Sequence, residues 1–198
     1  LEMMNMDNDE AMSEYYESIM EEIQKMSNLI REMLNSSFEG DIILSGPMKV
    51  DSLSELLDGM KDKYMGLFWS KKANCRFDIE DNIYINMNNE QIEQAINNYI
   101  INAYEHIPEK GTAVVTLKSV GDKAVISVFN DGNNIKEEEL NKIWQGFYQT
   151  DERVKESNVG LGLYIVRNIV KNHNGVCYAK NHHNGVEFVM EFNRTDKY

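Results

Sequence analysis

Cysteine, proline and basic charge are all scarce in this chain, and each scarcity removes a class of protein. Two cysteines in 198 residues rule out a disulfide-stapled scaffold, and Cys75 and Cys177 lack the paired spacing of a metal site. Both fall in segments that read as strands, so they are expected to be small packing residues in a reduced, cytoplasmic setting. No apolar run approaches the ~20 residues that cross a bilayer, and no leader pattern opens the chain, so the piece is expected to be soluble. Against 33 Asp and Glu stand only 20 Lys and Arg, a formal net charge of −13. That balance excludes nucleic acid as a general partner, because a phosphate-binding face needs an excess of cations. Histidine is missing until His106, and the others are His173, His182 and His183. What is present is 42% hydrophobic residues, enough to fill one good-sized core with an appendage.

The apolar periodicity divides the chain. From about Asp9 to Leu34 the residues Met12, Tyr15, Tyr16, Ile19, Ile23, Met26, Ile30, Met33 and Leu34 recur at steps of three and four, which predicts a long amphipathic helix. Its stripe could pack on its own domain or in an interhelical bundle. A second helix is predicted from Asp51-Ser52, either of which could cap it, to about Trp69, with Leu53, Leu56, Leu57, Met60 and Tyr64 on one face. Arg76 to Ile79 and Ile83 to Met87 alternate like strands about an Asp81-Asn82 turn. Asn88 to His106 should be a helix that buries Ile92, Ala95, Ile96, Tyr99, Ile100 and Ala103, and Pro108 and Gly111 bound the turn after it. A hairpin is predicted over Thr112–Val120 and Lys123–Phe129, then a polar, mobile loop over residues 131–160. Leu161–Asn174 reads as helix, and Val176–Lys180 and Val186–Phe192 as strands joined at His182-His183-Asn184-Gly185. This order suits an α+β fold, a two-layer sandwich with helices on one face of a mixed sheet; the adjacent strand pairs disfavour a doubly wound parallel sheet.

Chemistry is concentrated in four segments. Asn158-Val159-Gly160-Leu161-Gly162-Leu163-Tyr164-Ile165-Val166 is a glycine loop opening into an apolar helix. Glycine lets backbone approach an anion, and the helix start offers unpaired N–H groups. Alone, such a loop could equally be a plain turn. Three segments precede it: Asn98-Tyr99-Ile100-Ile101-Asn102-Ala103-Tyr104-Glu105-His106, Val128-Phe129-Asn130-Asp131-Gly132-Asn133-Asn134-Ile135, and Ile143-Trp144-Gln145-Gly146-Phe147-Tyr148. Asn98 and Asn102, four apart on the predicted helix, share a face.

In this order the set resembles the N, G1, F and G2 boxes of the ATP-binding domain of sensor histidine kinases, in the superfamily shared with gyrase, heat-shock protein 90 and mismatch-repair ATPases. An asparagine at the adenine position and Asn-Tyr opening the N box are similar to the vancomycin-resistance type of sensor. The resemblance covers roughly residues 40–193. It implies residues 1–40 as the second helix of a dimerisation hairpin and 41–198 as the ATP-binding catalytic domain, with a Bergerat-type sandwich. It further implies a protein histidine kinase, in which ATP and Mg²⁺ are bound and the γ-phosphate goes to a histidine outside this chain, then to an aspartate of a response regulator. The phosphoacceptor histidine belongs on the first hairpin helix, so a fragment beginning after that helix is expected, without autophosphorylation in cis. A second protomer would pair through the N-terminal helix, and the parent protein would be anchored in the bacterial membrane.

By the resemblance, Asn102 is the metal ligand, and the cofactor is held by Asn98, Asn102, His106, Asn130, Gly132, Asn134, Ile135, Phe147, Gly160, Leu161, Gly162 and Leu163. A neutral amide oxygen is a hard ligand suited to Mg²⁺, which takes its remaining ligands from waters and phosphates. In the hydrolysing relatives a glutamate general base stands where Asn98 stands, and an amide cannot take a proton at neutral pH; a phosphate donor is implied rather than a hydrolase. Several residues depart from the pattern. Asn130 replaces the aspartate that accepts from the adenine amino group, although its amide oxygen can still accept; Asp131 next door should point the other way. Asn134 replaces a glycine, where its tolerance of positive φ would keep the turn. Glu105 stands where a basic residue is common, leaving Arg153, Lys155 and Arg167 as candidates to meet the phosphates. These losses admit an alternative, a degenerate nucleotide-sensing or partner-docking module.

Overall fold

In the computed structural model, residues 46–148 and 160–196 are described, and all belong to one compact unit, Ile43–Tyr198. The amphipathic segment Asp9–Leu34, together with Arg153 and Lys155, lies outside the described residues.

The described chain begins with strand β1 (Lys49–Ser52) and helix α1 (Leu53–Ser70). Ser52 is the N-cap, its hydroxyl accepting from the Glu55 amide at 3.1 Å. Leu53, Leu57, Met60, Tyr64 and Phe68 form the buried stripe. A Schellman turn ends the helix, with Lys72 in the left-handed region (φ 56°) and the Ala73 amide donating to Phe68 O at 3.0 Å. Next come β2 (Asn74–Ile79), β3 (Tyr84–Met87) and α2 (Asn89–His106), the last capped by Asn88 and stopped before Pro108. β4 (Thr112–Val120) and β5 (Lys123–Asp131) make the expected hairpin around Gly121. α3 (Gly162–Asn172), β6 (Val176–His182) and β7 (Gly185–Asn193) complete the described elements.

The main sheet runs β2-β4-β5-β7-β6. β2 and β4 are parallel and every other pair is antiparallel, so the sheet is mixed, as expected. Its register aligns Cys75, Ala113, Asn130 and Val186 across one face, followed by Phe77, Val115, Val128, Phe188 and Ala179 in the next row. That face and the buried stripes of all three helices form a single apolar cluster. Helices on one side of a mixed sheet give the two-layer sandwich.

Two expectations need correction. β2 and β3 both form, but they do not pair across the Asp81-Asn82 turn: β2 lies beside β4, whereas β3 pairs with β1 in a separate two-stranded sheet. Alternation marks a strand without naming its partner, and here Ser54 decides. Its hydroxyl donates to Glu80 O at 2.7 Å and accepts from the Ile83 amide at 3.0 Å, turning the chain toward the start of α1. The second correction concerns the polar loop after β5. Ile143 and Trp144 within it are buried, Trp144 meeting the rings of Tyr99 and Phe188 edge-on at 6.4 and 6.2 Å. Lack of sustained period concealed a two-residue anchor.

Phe188 sits where sheet, α2 and this anchor converge, 5.4 Å from Tyr99 and fully buried. Phe188→Ala is expected to cost about 3–5 kcal/mol, read from the denaturant midpoint; a loss below about 1 kcal/mol would show that the cluster does not join these three elements.

Candidate functional site

The inward stripe of α2 fixes its other face. Ile92, Ala95, Ile96, Tyr99, Ile100 and Ala103 are completely buried, and Tyr99 Oη donates to Val189 O at 3.2 Å. Burial pushes the Tyr99 phenol well above its ordinary pKa, with a lesser push from Cys177, so it remains a donor. Asn98 and Asn102 stand on the flank of this helix, both half-buried. Among the described residues neither side chain is engaged in a hydrogen bond.

Two segments close on α2 from different sides. At the start of α3, a Cβ placed on Gly162 would lie 3.4 Å from Asn98 Oδ1. At the end of β5, Gly132 adopts φ 147°, and a Cβ there would stand 2.9 Å from His106 O. Only glycine permits that approach of β5 to the C-terminus of α2. Asn98 and Gly162 are thus brought together, as are His106 and Gly132.

Asn130, beside Gly132, is 0% exposed. Its Nδ2 donates to Asp131 O at 2.9 Å, which sets the amide's orientation. Oδ1 is then a buried acceptor with no partner, a costly state unless something donates to it. Asp131 is committed elsewhere: Oδ2 accepts from the Thr112 amide at 2.7 Å and Oδ1 from Asn184 Nδ2 at 2.6 Å. The strand's alternation does send the two neighbours to opposite faces.

Asn134 and Ile135 are fastened to β6. Asn134 Nδ2 donates to His182 O at 2.9 Å, while Ile135 exchanges two bonds with the Asn181 side chain, at 3.0 and 2.7 Å. Asn134 is absent from the positive-φ residues, so the expected left-handed turn is not used; the side-chain anchor holds the segment instead. Asn181 was not foreseen, because a lone asparagine in a strand gives no sequence signal.

Phe147 and Gly160 also meet. The Phe147 amide donates to Gly160 O at 2.9 Å, and both residues are left-handed, at φ 64° and 70°. A Cβ on Gly160 would lie 2.7 Å from Tyr148 O. Residues 147–148 and 160 are therefore pinned at one point, directly before α3. Leu161 precedes the helix without a side-chain cap, leaving the amides of its first turn available. Gly160, Leu161, Gly162 and Leu163 form this start.

The charges around α2 and α3 are arranged as follows. Arg167 is exposed, and its charge reaches the Cys177 thiol on β6, partly offsetting the burial that pushes that thiol up to about 11. A cation missed by the sequence reading, Lys71, donates from Nζ to Tyr104 O at 2.7 Å and Glu105 O at 3.3 Å, capping the C-terminus of α2. Glu105 is exposed. Among the described residues no cluster of three His, Cys, Asp or Glu could hold a metal, so any divalent ion would need ligands beyond the side-chain carboxylates and imidazoles. No described helix is long and apolar enough to cross a membrane.

Known proteins resemble this arrangement. Sporulation kinase A of Bacillus subtilis is 35% identical over 114 residues, covering 57% of this chain and 18% of that protein. Sporulation kinase C of the same organism is 28% identical over 168 residues, 82% of this chain and 36% of that protein. The chain thus spans well under half the length of these relatives. Among solved structures, the nucleotide-free catalytic domain of histidine kinase ThkA superposes with a TM-score of 0.68 at 27% identity, covering 76% of this chain and 97% of that one. Residues 87–196 match the model of the histidine kinase-, DNA gyrase B- and HSP90-like ATPases, and the chain belongs to that family.

Proposed function

We propose that this chain is the ATP-binding catalytic domain of a two-component sensor histidine kinase, which donates the γ-phosphate of ATP to a histidine outside residues 1–198. The observation that carries the nucleotide site is the buried, partnerless Asn130 Oδ1. With Nδ2 held by Asp131 O, the amide offers only an acceptor; the exocyclic amino group of adenine is a matching donor, whereas guanine would place a carbonyl there. Gly132 keeps the approach open. The first-turn amides of α3, with Gly160 to Leu163, suit phosphate oxygens.

The residues present fit a magnesium nucleotide. Asn102 would hold the ion through its amide oxygen, while Asn98 and Gly162 line the same flank of α2. Mg²⁺, when bound, supplies charge neutralisation on the phosphates. Asn98 cannot accept a proton, so water is poorly activated and transfer to another acceptor is favoured over hydrolysis.

In the parent protein, residues 1–40 would form the second hairpin helix and pair with a second protomer, and 41–198 the catalytic domain. The subsequent acceptor would be a response-regulator aspartate; a solved complex of histidine kinase ThkA with response regulator TrrA, at TM-score 0.69, shares the fold. A membrane anchor outside this chain belongs to the same proposal.

Calorimetric titration tests the site. Asn102→Ala is expected to lower Mg·ATP affinity about 10–100-fold and to remove most of the magnesium dependence. Asn130→Leu, which deletes the orphaned acceptor at similar volume, should weaken ATP binding about tenfold without lowering stability by more than about 1 kcal/mol. No binding by the unaltered chain at millimolar ATP would sink the proposal. Transfer is tested by mixing the chain and γ-labelled ATP with a separate hairpin bearing the parent's histidine. Label should appear on the hairpin; binding without transfer would favour a nucleotide-sensing module.

A further inference from the structure

Helices α2 and α3 are antiparallel. Gly162, at the start of α3, faces Asn98 in the middle of α2, while His173, just past the end of α3, reaches the N-terminus of α2. The cap there is completed between the helices. Asn88 Oδ1 accepts from the Gln91 amide at 3.1 Å, the first half of a capping box. In the usual box the glutamine side chain returns to the cap residue's amide. Here His173 Nε2 accepts from the Asn88 amide at 3.1 Å, and Gln91 Oε1 accepts from Asn172 Nδ2 at 3.1 Å. His173 thus takes over the second half of the α2 cap, while Asn172 holds the glutamine that supplies it in the usual box.

The imidazole is suited to that role. Because Nε2 accepts, Nδ1 carries the proton and donates to Ile169 O at 2.7 Å. The ring is 7% exposed and meets Phe192 edge-on at 6.2 Å. Burial lowers its pKa and so favours the neutral form that can accept, an effect opposed in part by the Ile169 bond. Asn174, left-handed at φ 54°, and the Gly175 amide bonded to Val170 O at 2.9 Å hold the ring's own backbone in a Schellman turn.

We infer that His173 is a positioning residue for the nucleotide site: with Asn172 it locks the far end of α3 to the cap of α2, and so sets where Gly160–Leu163 stands against Asn98 and Asn102. The inference rests on the nucleotide assignment made above. Between the two ends, about 16 Å apart along α3, Val166, Ile169 and Val170 make apolar contacts. Such contacts resist separation but are non-directional and leave sliding and rotation weakly opposed. The polar pair at His173 and Asn172 supplies the directional restraint, and a helix released there can pivot at its glycine end.

The test uses the full 198-residue chain, with Mg·ATP titrated calorimetrically and folding checked by circular dichroism. His173→Ala is expected to weaken binding about five- to tenfold while the fold is retained. His173→Gln, whose amide can accept from Asn88 and donate to Ile169, should recover to within about twofold of the unaltered chain. Asn172→Ala, which removes the bond to Gln91 and leaves His173 in place, should weaken binding about two- to threefold. Folded His173→Ala that binds like the unaltered chain overturns the inference; if that variant does not fold, wild-type affinity in Asn172→Ala overturns it. An unaltered chain that binds no Mg·ATP overturns the functional proposal itself, which distinguishes that failure from failure of the clamp alone.

Discussion

The burial of one face of α2 is the constraint on which the rest of the structure depends. Six of its side chains are removed completely from solvent, each large apolar one contributing about 1.5–3 kcal/mol. Tyr99 adds a directional bond to β7 and touches both Phe188 and the Trp144 anchor. A helix held this way cannot rotate, so the direction of Asn98 and Asn102 follows from the packing of residues that never meet a ligand. The glycines then do their work against a fixed surface. Gly132 brings β5 to one end of the helix, at a distance that a side chain would block, and Gly162 brings α3 to within contact of its middle.

Against that rigid background, the polar defects carry meaning. A buried acceptor without a partner costs on the order of 1–3 kcal/mol, and a sequence under pressure for stability alone would replace Asn130 with an apolar residue. Its retention in the inner row, between Ala113 and Val186, is instead what a ligand donor would explain. Asp131 shows the contrast. Its two oxygens are satisfied by Thr112 and Asn184, which makes it a fastening of the sheet's end, and the proposed base recognition falls to its neighbour.

Much of this was legible in the sequence, and the limits have physical causes. Helix stripes were readable because apolar spacing is local, and Ser52 is one of the two caps offered for α1; Asn88, read as the first helical residue, is instead the cap of α2. The opposite senses of Asn130 and Asp131 followed from the two-residue period of a strand. Pairing was not readable for β2 and β3, since strand partners are chosen by distant contacts such as Ser54 with the 80–83 turn. β1 was missed as well, being four residues of mixed polarity. Trp144 lay hidden because two buried residues in a polar stretch have no period. Asn181, Lys71 and His173 act through hydrogen bonds across the fold, and a lone polar residue carries no mark of the partner it will find.

Asparagine recurs throughout the proposed site, and the net charge explains why that is workable. A chain at −13 approached by a polyanionic nucleotide gains nothing from further carboxylates, and Glu105 faces solvent. Amides add no charge, yet each offers both donor and acceptor and is useful only if its orientation is set. Asn130 is set by Asp131 O and Asn134 by His182 O, while Asn181 is set by both polar atoms of the Ile135 backbone. Asn98 and Asn102 are the exceptions, with no side-chain bond among the described residues. Those two are the amides assigned to the flank where metal and phosphates would bind, so their orientation is left for the ligand to set. In the proposed site, neutral residues oriented by backbone groups at the base end, and unengaged amides at the phosphate end, would let an acidic domain bind an anion without relying on surface cations.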